Sequence, residues 1–576
     1  MNQKLENILN VSLDATEDEL RKADSLSTGY NWRDNTWEII VKYSGSLESI
    51  RNRYNVYIKE LLNYYAIIVA DKATIELISQ EDVIDYVEKP KSLYYQIERT
   101  KTAACVGNVR AGGGILSGKG VIVGVIDTGI DIFDNAFRNS DGTTRILNIY
   151  DQTTGEKYDK QSIDEYIRLN EDLSSGTFSY DNAPGVDNIM HGTDVSYIAA
   201  GSLGVAYEAD IIAVKMGYSI NNQFPRTTSL MDAIDYVIRK AIEYRKPVAV
   251  NISYGCNYGA HNGNTLLESF IDDISKSYRC VICVGSGNEA DKAIHFGGII
   301  NTGQVQTAYL SVGEYQSAMD IQIWKNYWDT IDVMLINPRG EQIGIITEGK
   351  INRYETYNTE IITLLGEPSP YNIYQEIYIN LIPKTDYILS GIWQIVLMAG
   401  SIRAGEYNIW LPSSQALGYA TAFNNPTADG TITIPATARN CIAVGAYNAY
   451  TNSYAAFSGR GFDNSIRNVN AGVKPDITAP GVDISIARQR GNDIIYRNVT
   501  GTSYAVPVVT GAAALLMQWG IVMGNDRFMY GEKLKAALID GSKPVGLAGI
   551  TGNDNHPDPR TGWGAVCLMN TLNKIL

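Results

Sequence analysis

Val121–Asp131 reads VIVGVIDTGID: six apolar or glycine residues run into a carboxylate at Asp127, and the turn pair Thr128-Gly129 follows. An unbroken apolar run that ends at a turn signal is the pattern of a strand buried on both faces. Three more runs of this kind follow along the chain, ADIIAVKMG at Ala209–Gly217, PVAVNISYG at Pro247–Gly255 and CVICVGSGNE at Cys280–Glu289. Helical periodicity over Ser229–Tyr244 and Leu266–Ser277 separates them. Strands alternating with helices predict an α/β fold with a doubly wound, mostly parallel sheet. In such a sheet the functional groups gather at the C-terminal ends of the strands, where Asp127 stands.

The whole chain of 576 residues is long enough for several domains. Hydrophobic residues make up 45% and charged residues 19%, with 53 Gly and 17 Pro and no low-complexity tract, which excludes disorder, collagen and coiled coil. The formal charge of -15 has the wrong sign for collecting phosphate backbones or lying on anionic lipid, so neither nucleic acid nor a membrane surface is an expected partner. The first residues, MNQKLENILNVSLDATEDELRKADS, read as a polar, frayed start with no apolar region of a secretory signal. The apolar stretch Gly511–Gly524 is shorter than the ~18 residues of a membrane span. Six cysteines (105, 256, 280, 283, 441, 567) make no disulfide framework, and Cys280 and Cys283 lack the second pair of a zinc site. They read as buried thiols of a reducing compartment, so synthesis in the cytoplasm is expected.

Outward from the α/β core, residues 37–90 combine strand-like WEIIVKY and YYAIIVA with helical SLESIRNRYN and TIELISQEDVIDYV, a small α+β unit. Glu88–Thr100 (EKPKSLYYQIERT) reads as extended and accessible, a domain boundary. Between about Thr302 and Pro412, short β-rich runs separated by turn residues predict an inserted all-β, jelly-roll-like domain. The α/β texture then returns and ends in helical stretches around Gly511–Trp519 and Gly531–Ile539.

Asp127 alone is ambiguous, because DTG also opens the active site of aspartic proteases. Those need two carboxylates sharing a proton, and the chain has one DTG. Of four histidines, His191 stands in MHGTDVSYIAAG, ahead of a helix of small residues. Ser503, in VTGTSYAVPVVTGAAALL, opens a long apolar helix, where a hydroxyl can be an N-cap or a nucleophile favoured by the local positive potential.

DTGID, HGT and GTSxAxP in the chain order Asp, His, Ser resemble the subtilisin-like serine proteases of peptidase family S8. The resemblance implies that Ser503 attacks the scissile carbonyl, His191 moves its proton and Asp127 orients the imidazole. It further implies an oxyanion hole made by the Asn288 amide and the Ser503 N–H. Ser253, Tyr254 and Gly255 resemble the strand that pairs with substrate, and Gly285, Ser286 and Gly287 the other wall of the pocket. VKPDITAPG (Val473–Gly481) and FSGRG (Phe457–Gly461) match structural signatures of the family. The sequence departs from the usual HGTHVAG at Asp194, Ser196 and Tyr197, and from the usual methionine after the nucleophile at Tyr504.

The implied domains are a propeptide over 1–96, a catalytic domain in two parts over 97–300 and 413–576, and the insertion over 301–412. Residues 37–90 resemble the family's intramolecular-chaperone propeptide, so the resemblance implies self-cleavage. The bond Gln96-Ile97 is the first choice, and the bond after Tyr95 the second. The combination of propeptide and β-rich insertion is similar to the clostridial Csp germination proteases. In that group the propeptide can stay bound in the active site and the substrate is a protein zymogen, which makes a spore association an expectation. Two readings stay open: an endopeptidase acting on a protein or peptide, or a propeptide-inhibited regulator on the same fold. An acyl hydrolase is disfavoured, because a substrate strand at Ser253–Gly255 implies an extended peptide. No cofactor is required. The family often binds calcium, and Asn139–Gly142 and the TGNDNHPDPRTG loop offer oxygen atoms. No run matches an EF-hand, so no metal residue is assigned.

Overall fold

The computed structural model describes residues 2–92, 94–95, 116–172, 177–178, 182–217, 224–346, 349–462, 472–490, 493–546 and 557–576. Its centre is a nine-stranded sheet. The order across it is Ser453–Tyr454, Ile442–Asn448, Cys280–Gly285, Val248–Ile252, Ile122–Asp127, Asp210–Lys215, Ile146–Asp151 and Glu156–Asp159, with Ile477–Pro480 also paired to Ile442–Asn448. All pairings are parallel except the two outermost, Ser453–Tyr454 and Glu156–Asp159.

Strand periodicity decides which side chain meets which layer. Ile122 and Ile126 join one core, with Leu230 and Ile234 of the helix Thr227–Tyr244 and Phe270 and Ile274 of the helix Leu266–Ser277. Val123 and Val125 join the opposite core, with Val195 of the helix His191–Ala200 and Val509 of the helix Thr502–Met517. Asp127, in phase with Val123 and Val125, therefore ends its strand on the side of the two helices that open with His191 and with Thr502-Ser503. At Gly124 a Cβ would lie 2.6 Å from Val237 Cγ1, so the helix over it packs this closely only on glycine. Thr265 and Glu268 close a capping box that starts the helix Leu266–Ser277 at the residue the sequence indicates.

The helix from Thr502, continued by a π-turn to Val522, is long and apolar enough to cross a membrane by length and composition, which the shorter stretch Gly511–Gly524 did not suggest. In the fold, 83% of its most apolar window is buried, against the central sheet and the His191 helix.

The N-terminal unit is an antiparallel sheet around Thr36–Tyr43 and Tyr65–Ala70. Its Ile40, Tyr65 and Ile67 enter the core of the helices Thr227–Tyr244 and Leu266–Ser277. The frayed start expected from composition is instead two helices, Asn7–Asp14 and Glu17–Lys22, the second with a Thr16–Glu19 capping box. Leu5, Leu9 and Leu13, at four-residue spacing, and Val11 are all buried, in a core that also holds Ile362, Leu364, Tyr378 and Ile382 of the insertion.

The insertion is a sandwich of a six-stranded and a five-stranded sheet around one core. It runs from the strand His295–Ile299 to Ala422–Phe423, starting before and ending after the expected 301–412. The sequence HFGGI hides its first strand, because two glycines read as a loop, yet it pairs along its length with Glu406–Trp410.

Candidate active site

Asp127 Oδ1 accepts the Thr128 N–H at 2.8 Å and lies 2.6 Å from His191 Nδ1, with both side chains buried. The His191 helix begins after Met190, held at φ 68. Gly192 is obligatory, because a Cβ there would stand 2.3 Å from Gly129 O and 3.0 Å from Asp127 Cβ. Burial pushes the His191 imidazole toward the neutral form. The Asp127 carboxylate, its hydrogen bond, and the charges of Asp187 and Asp194 more than offset this and leave its pKa above the ordinary histidine value.

Asp187, which the motif reading passes over, organises this corner. Its Oδ1 accepts from Thr128 Oγ1 at 2.7 Å and from the Met190 N–H at 2.8 Å. Its Oδ2 accepts from both the N–H and the hydroxyl of Thr193 at 2.8 Å. Thr128 Oγ1 in turn accepts the Gly192 N–H at 2.9 Å. The threonines of DTG and HGT are thus the two ends of one clamp that aligns carboxylate and imidazole. The available signal was an aspartate four residues ahead of the histidine, a side chain suited to a helix entry.

Ser503 is fully buried in the first turn of its helix. Gly501 precedes it at φ 146, a left-handed conformation open to glycine. Asn288 stands after the strand Cys280–Gly285, and its Oδ1 accepts from the N–H and the hydroxyl of Thr502, each at 3.1 Å. Holding the amide by its oxygen aims Nδ2 away from Thr502, and this buried Nδ2 has no hydrogen-bond partner among the described residues. Tyr504, in place of the usual methionine, sets its ring 5.3 Å from that of His191.

The segments expected as walls are held by their own backbone hydrogen bonds. Ser286 N–H donates to Val444 O at 2.9 Å, its carbonyl accepts from the Thr433 N–H at 3.0 Å, and Gly287 O accepts from the Gly459 N–H at 2.9 Å. FSGRG earns its glycines here, since a Cβ on Gly459 would lie 2.2 Å from Ser286 O. On the other wall, Tyr254 and Gly255 pair antiparallel with Tyr95 and Tyr94 of the N-terminal unit. Ser253 Oγ donates to Ser503 O at 3.4 Å. The second edge of the groove is Arg226–Thr227: Ser92 bridges Arg226, Lys91 O accepts the Thr227 N–H at 2.6 Å, and Lys91 N–H donates to Thr227 Oγ1 at 2.7 Å. Residues 91–92 are thus tied to one edge and residues 94–95 to the other. Gln96 and Ile97 lie outside the described residues.

Just upstream, Lys91 Nζ sits 2.7 Å from Glu6 Oε1 and 2.5 Å from Glu88 Oε1, and the two carboxylates hold its ammonium above the usual lysine range despite burial. Glu88 Oε2 accepts the first free N–H of the Leu266–Ser277 helix, from Leu266, at 2.8 Å.

Among the described residues no group of three or more His, Cys, Asp or Glu is placed to hold a metal. In the loops considered for calcium, Asp141 accepts from Thr143 and Asp558 from Arg560.

Residues 3–91 match the Csp protease B prodomain, and residues 118–369 and 404–564 match the subtilase family. The CspB protease of Clostridium perfringens is similar in structure, with a TM-score of 0.74 and 33% identity over 82% of this chain and 96% of that one. The subtilase-type proteinase RRT12 of Saccharomyces cerevisiae is 33% identical over 22% of this chain and 23% of its own length. The subtilisin-like protease 10 of Arthroderma otae is 34% identical over 21% of this chain and 27% of its own. The chain spans about a quarter of the length of these two curated relatives. With the family pattern covering most of the sequence, the chain belongs to the subtilase family and carries a prodomain of the Csp type.

Proposed function

We propose that the chain is a serine endopeptidase whose first substrate is its own tail, cut between Gln96 and Ile97. One observation carries this reading: Gly255 pairs with Tyr94 and Tyr254 with Tyr95. Extended by one residue, this register would bring residue 96 opposite Ser253, whose hydroxyl is hydrogen-bonded to the backbone of Ser503. The register therefore supports the bond after residue 96 over the bond after Tyr95, which would require a slip of one residue that reverses every side chain.

In this reading His191, its Nδ1 proton held by Asp127, accepts the Ser503 proton at Nε2 as Oγ attacks the carbonyl carbon, and then returns it to the leaving amine. The oxyanion is bound by Asn288 Nδ2 and the Ser503 N–H. Water repeats the sequence on the acyl-enzyme. A substrate in trans must offer an extended protein segment able to lie between Arg226–Thr227 and Tyr254–Gly255, and a protein zymogen is the substrate class we put first. The seated tail also supports the second reading, in which the prodomain stays as a permanent inhibitor.

Intact-mass analysis of the wild type beside Ser503→Ala tests the proposal. The wild type should separate into two fragments with the cut after Gln96, and the variant should remain whole. An uncut wild type under folding conditions would refute it and leave the regulator.

A further inference from the structure

Asp194 lies one helical turn after His191 and is fully buried. It is met from a facing hairpin, Ile484–Arg490 paired with Asp493–Val499. Arg488 Nε is 3.5 Å from Asp194 Oδ1, and Arg497 Nη1 is 3.1 Å from Oδ2. Arg488 pairs with Ile495 and Arg497 with Ile486, so the two arginines are diagonal neighbours on the face that also carries the buried Ile486. The second strand of this hairpin runs through Thr500 and Gly501 into Ser503. The ion pairs therefore join the helix that presents His191 to the segment that presents Ser503. A buried carboxylate is a poor device for stability alone, because well-packed apolar residues do as well or better.

We propose that Asp194 is a positioning residue of the reaction: with Arg488 and Arg497 it sets the imidazole against the nucleophile, and the balance of one carboxylate against two guanidinium groups sets the field at the ring. This rests on His191 being the general base. The charged and titratable groups around the ring are Asp127 from the central strand, Asp187 from the loop before the helix, Asp194 one turn on and Tyr504 from the nucleophile helix. Arg488 and Arg497 stand behind Asp194. Burial raises the Asp194 carboxyl to about 6, against the pull of Arg497, Arg488 and His191. Above that pH it is ionised and favours the imidazolium, as Asp127 and Asp187 do.

Removing the carboxylate leaves two cations beside the ring, and removing one guanidinium leaves the balance more negative. The two changes move the imidazole in opposite directions, which loss of packing does not. The test uses the full chain with Asp194→Asn, Arg497→Gln and the charge-keeping Arg497→Lys. Self-cleavage rates on refolding are followed from about pH 5 to about pH 9, and the ring nitrogens of His191 are titrated by selective 15N-histidine NMR in a Ser503→Ala background. Asp194→Asn should move both the acidic limb and the ring titration down by roughly half a pH unit or more. Arg497→Gln should move both up, and Arg497→Lys should leave both in place. Shifts of the same sign in the first two variants, or an unmoved ring titration, overturn the proposal. Should Asp194→Asn fail to fold, Arg497→Gln, whose side chain is 39% exposed, decides the sign by itself. A wild-type rate whose limb does not follow the ring titration refutes His191 as base, while the ring shifts still report on Asp194.

Discussion

Lys91→Met isolates the charge that seats the prodomain tail. The lysine side chain is 6% exposed and faces two carboxylates, Glu6 at 2.7 Å and Glu88 at 2.5 Å, themselves 15% and 4% exposed. Methionine matches the stem of the side chain up to Cε and keeps both backbone hydrogen bonds to Thr227, so the change is chiefly the loss of the ammonium. Removing one partner of a buried ion pair costs about 3–5 kcal/mol, because the remaining charge is left uncompensated. Here two carboxylates are left, of which Glu88 keeps the Leu266 N–H. At about 2–4 °C per kcal/mol for a unit of 150–250 residues, the first thermal transition of a Ser503→Ala, Lys91→Met chain should fall by roughly 6–20 °C relative to Ser503→Ala alone at neutral pH. Acid should shrink the difference, since burial pushes the Glu88 carboxyl up to about 7 and, once protonated, it no longer needs the ammonium. Differential scanning calorimetry of the two chains at about pH 7.5 and about pH 4.5 makes the comparison. A shift under about 2 °C at the higher pH, or a difference that grows in acid, would refute the reasoning.

Asn288→Ala should lower the kcat of turnover on a peptide copying the tail about 10²–10³-fold with KM nearly unchanged, because its amide acts on the oxyanion and not on the ground state. Since its surroundings hold the His191 imidazolium above the ordinary value, kcat/KM should fall with acid through a single ionisation above about 6.5, measured as the acidic limb of a pH–rate profile. Asp187→Asn turns one acceptor of the clamp into a donor facing Thr193, so it should cost about 1–3 kcal/mol of thermal stability and slow self-cleavage, readable by melting and by mass against time. Gly192→Ala should abolish soluble folded protein or self-cleavage, since its Cβ has no room beside Gly129 O, and normal processing by this variant would contradict the packing.

The alternation of buried strands and helices, and the three short motifs, were legible because each depends on residue type at close spacing. A strand buried on both faces has to be apolar, and the GTSxAxP motif sets a serine at a helix start within a few residues. Asp187 was not legible, because its hydrogen bonds tie together Thr128, Met190 and Thr193 across a loop with no periodicity. Asp194 was visible as a departure, but its arginines come from a hairpin near the far end of the chain. The helices Asn7–Asp14 and Glu17–Lys22 read as a polar start because the partner of their apolar face, the sandwich strands around Ile362 and Tyr378, cannot be inferred from local pattern. The first strand of the sandwich was hidden by its glycines and fixed by its ladder to Glu406–Trp410.

The core shared by Leu5, Leu9 and Val11 with Ile362, Leu364 and Tyr378 sets an order on synthesis. The N-terminal helices share this core with Ile39, Val41 and Ile68 of the prodomain's own sheet but meet the sandwich strands only some 350 residues later, which at about 5–20 residues per second is roughly 20–70 seconds. Ile40, Tyr65 and Ile67 of the prodomain pack into the core beside the parallel sheet, yet the prodomain's other core is completed only when the insertion arrives. Truncated or stalled chains that end before the sandwich thus expose a greasy prodomain, while the full-length chain closes both ends of the circuit at once.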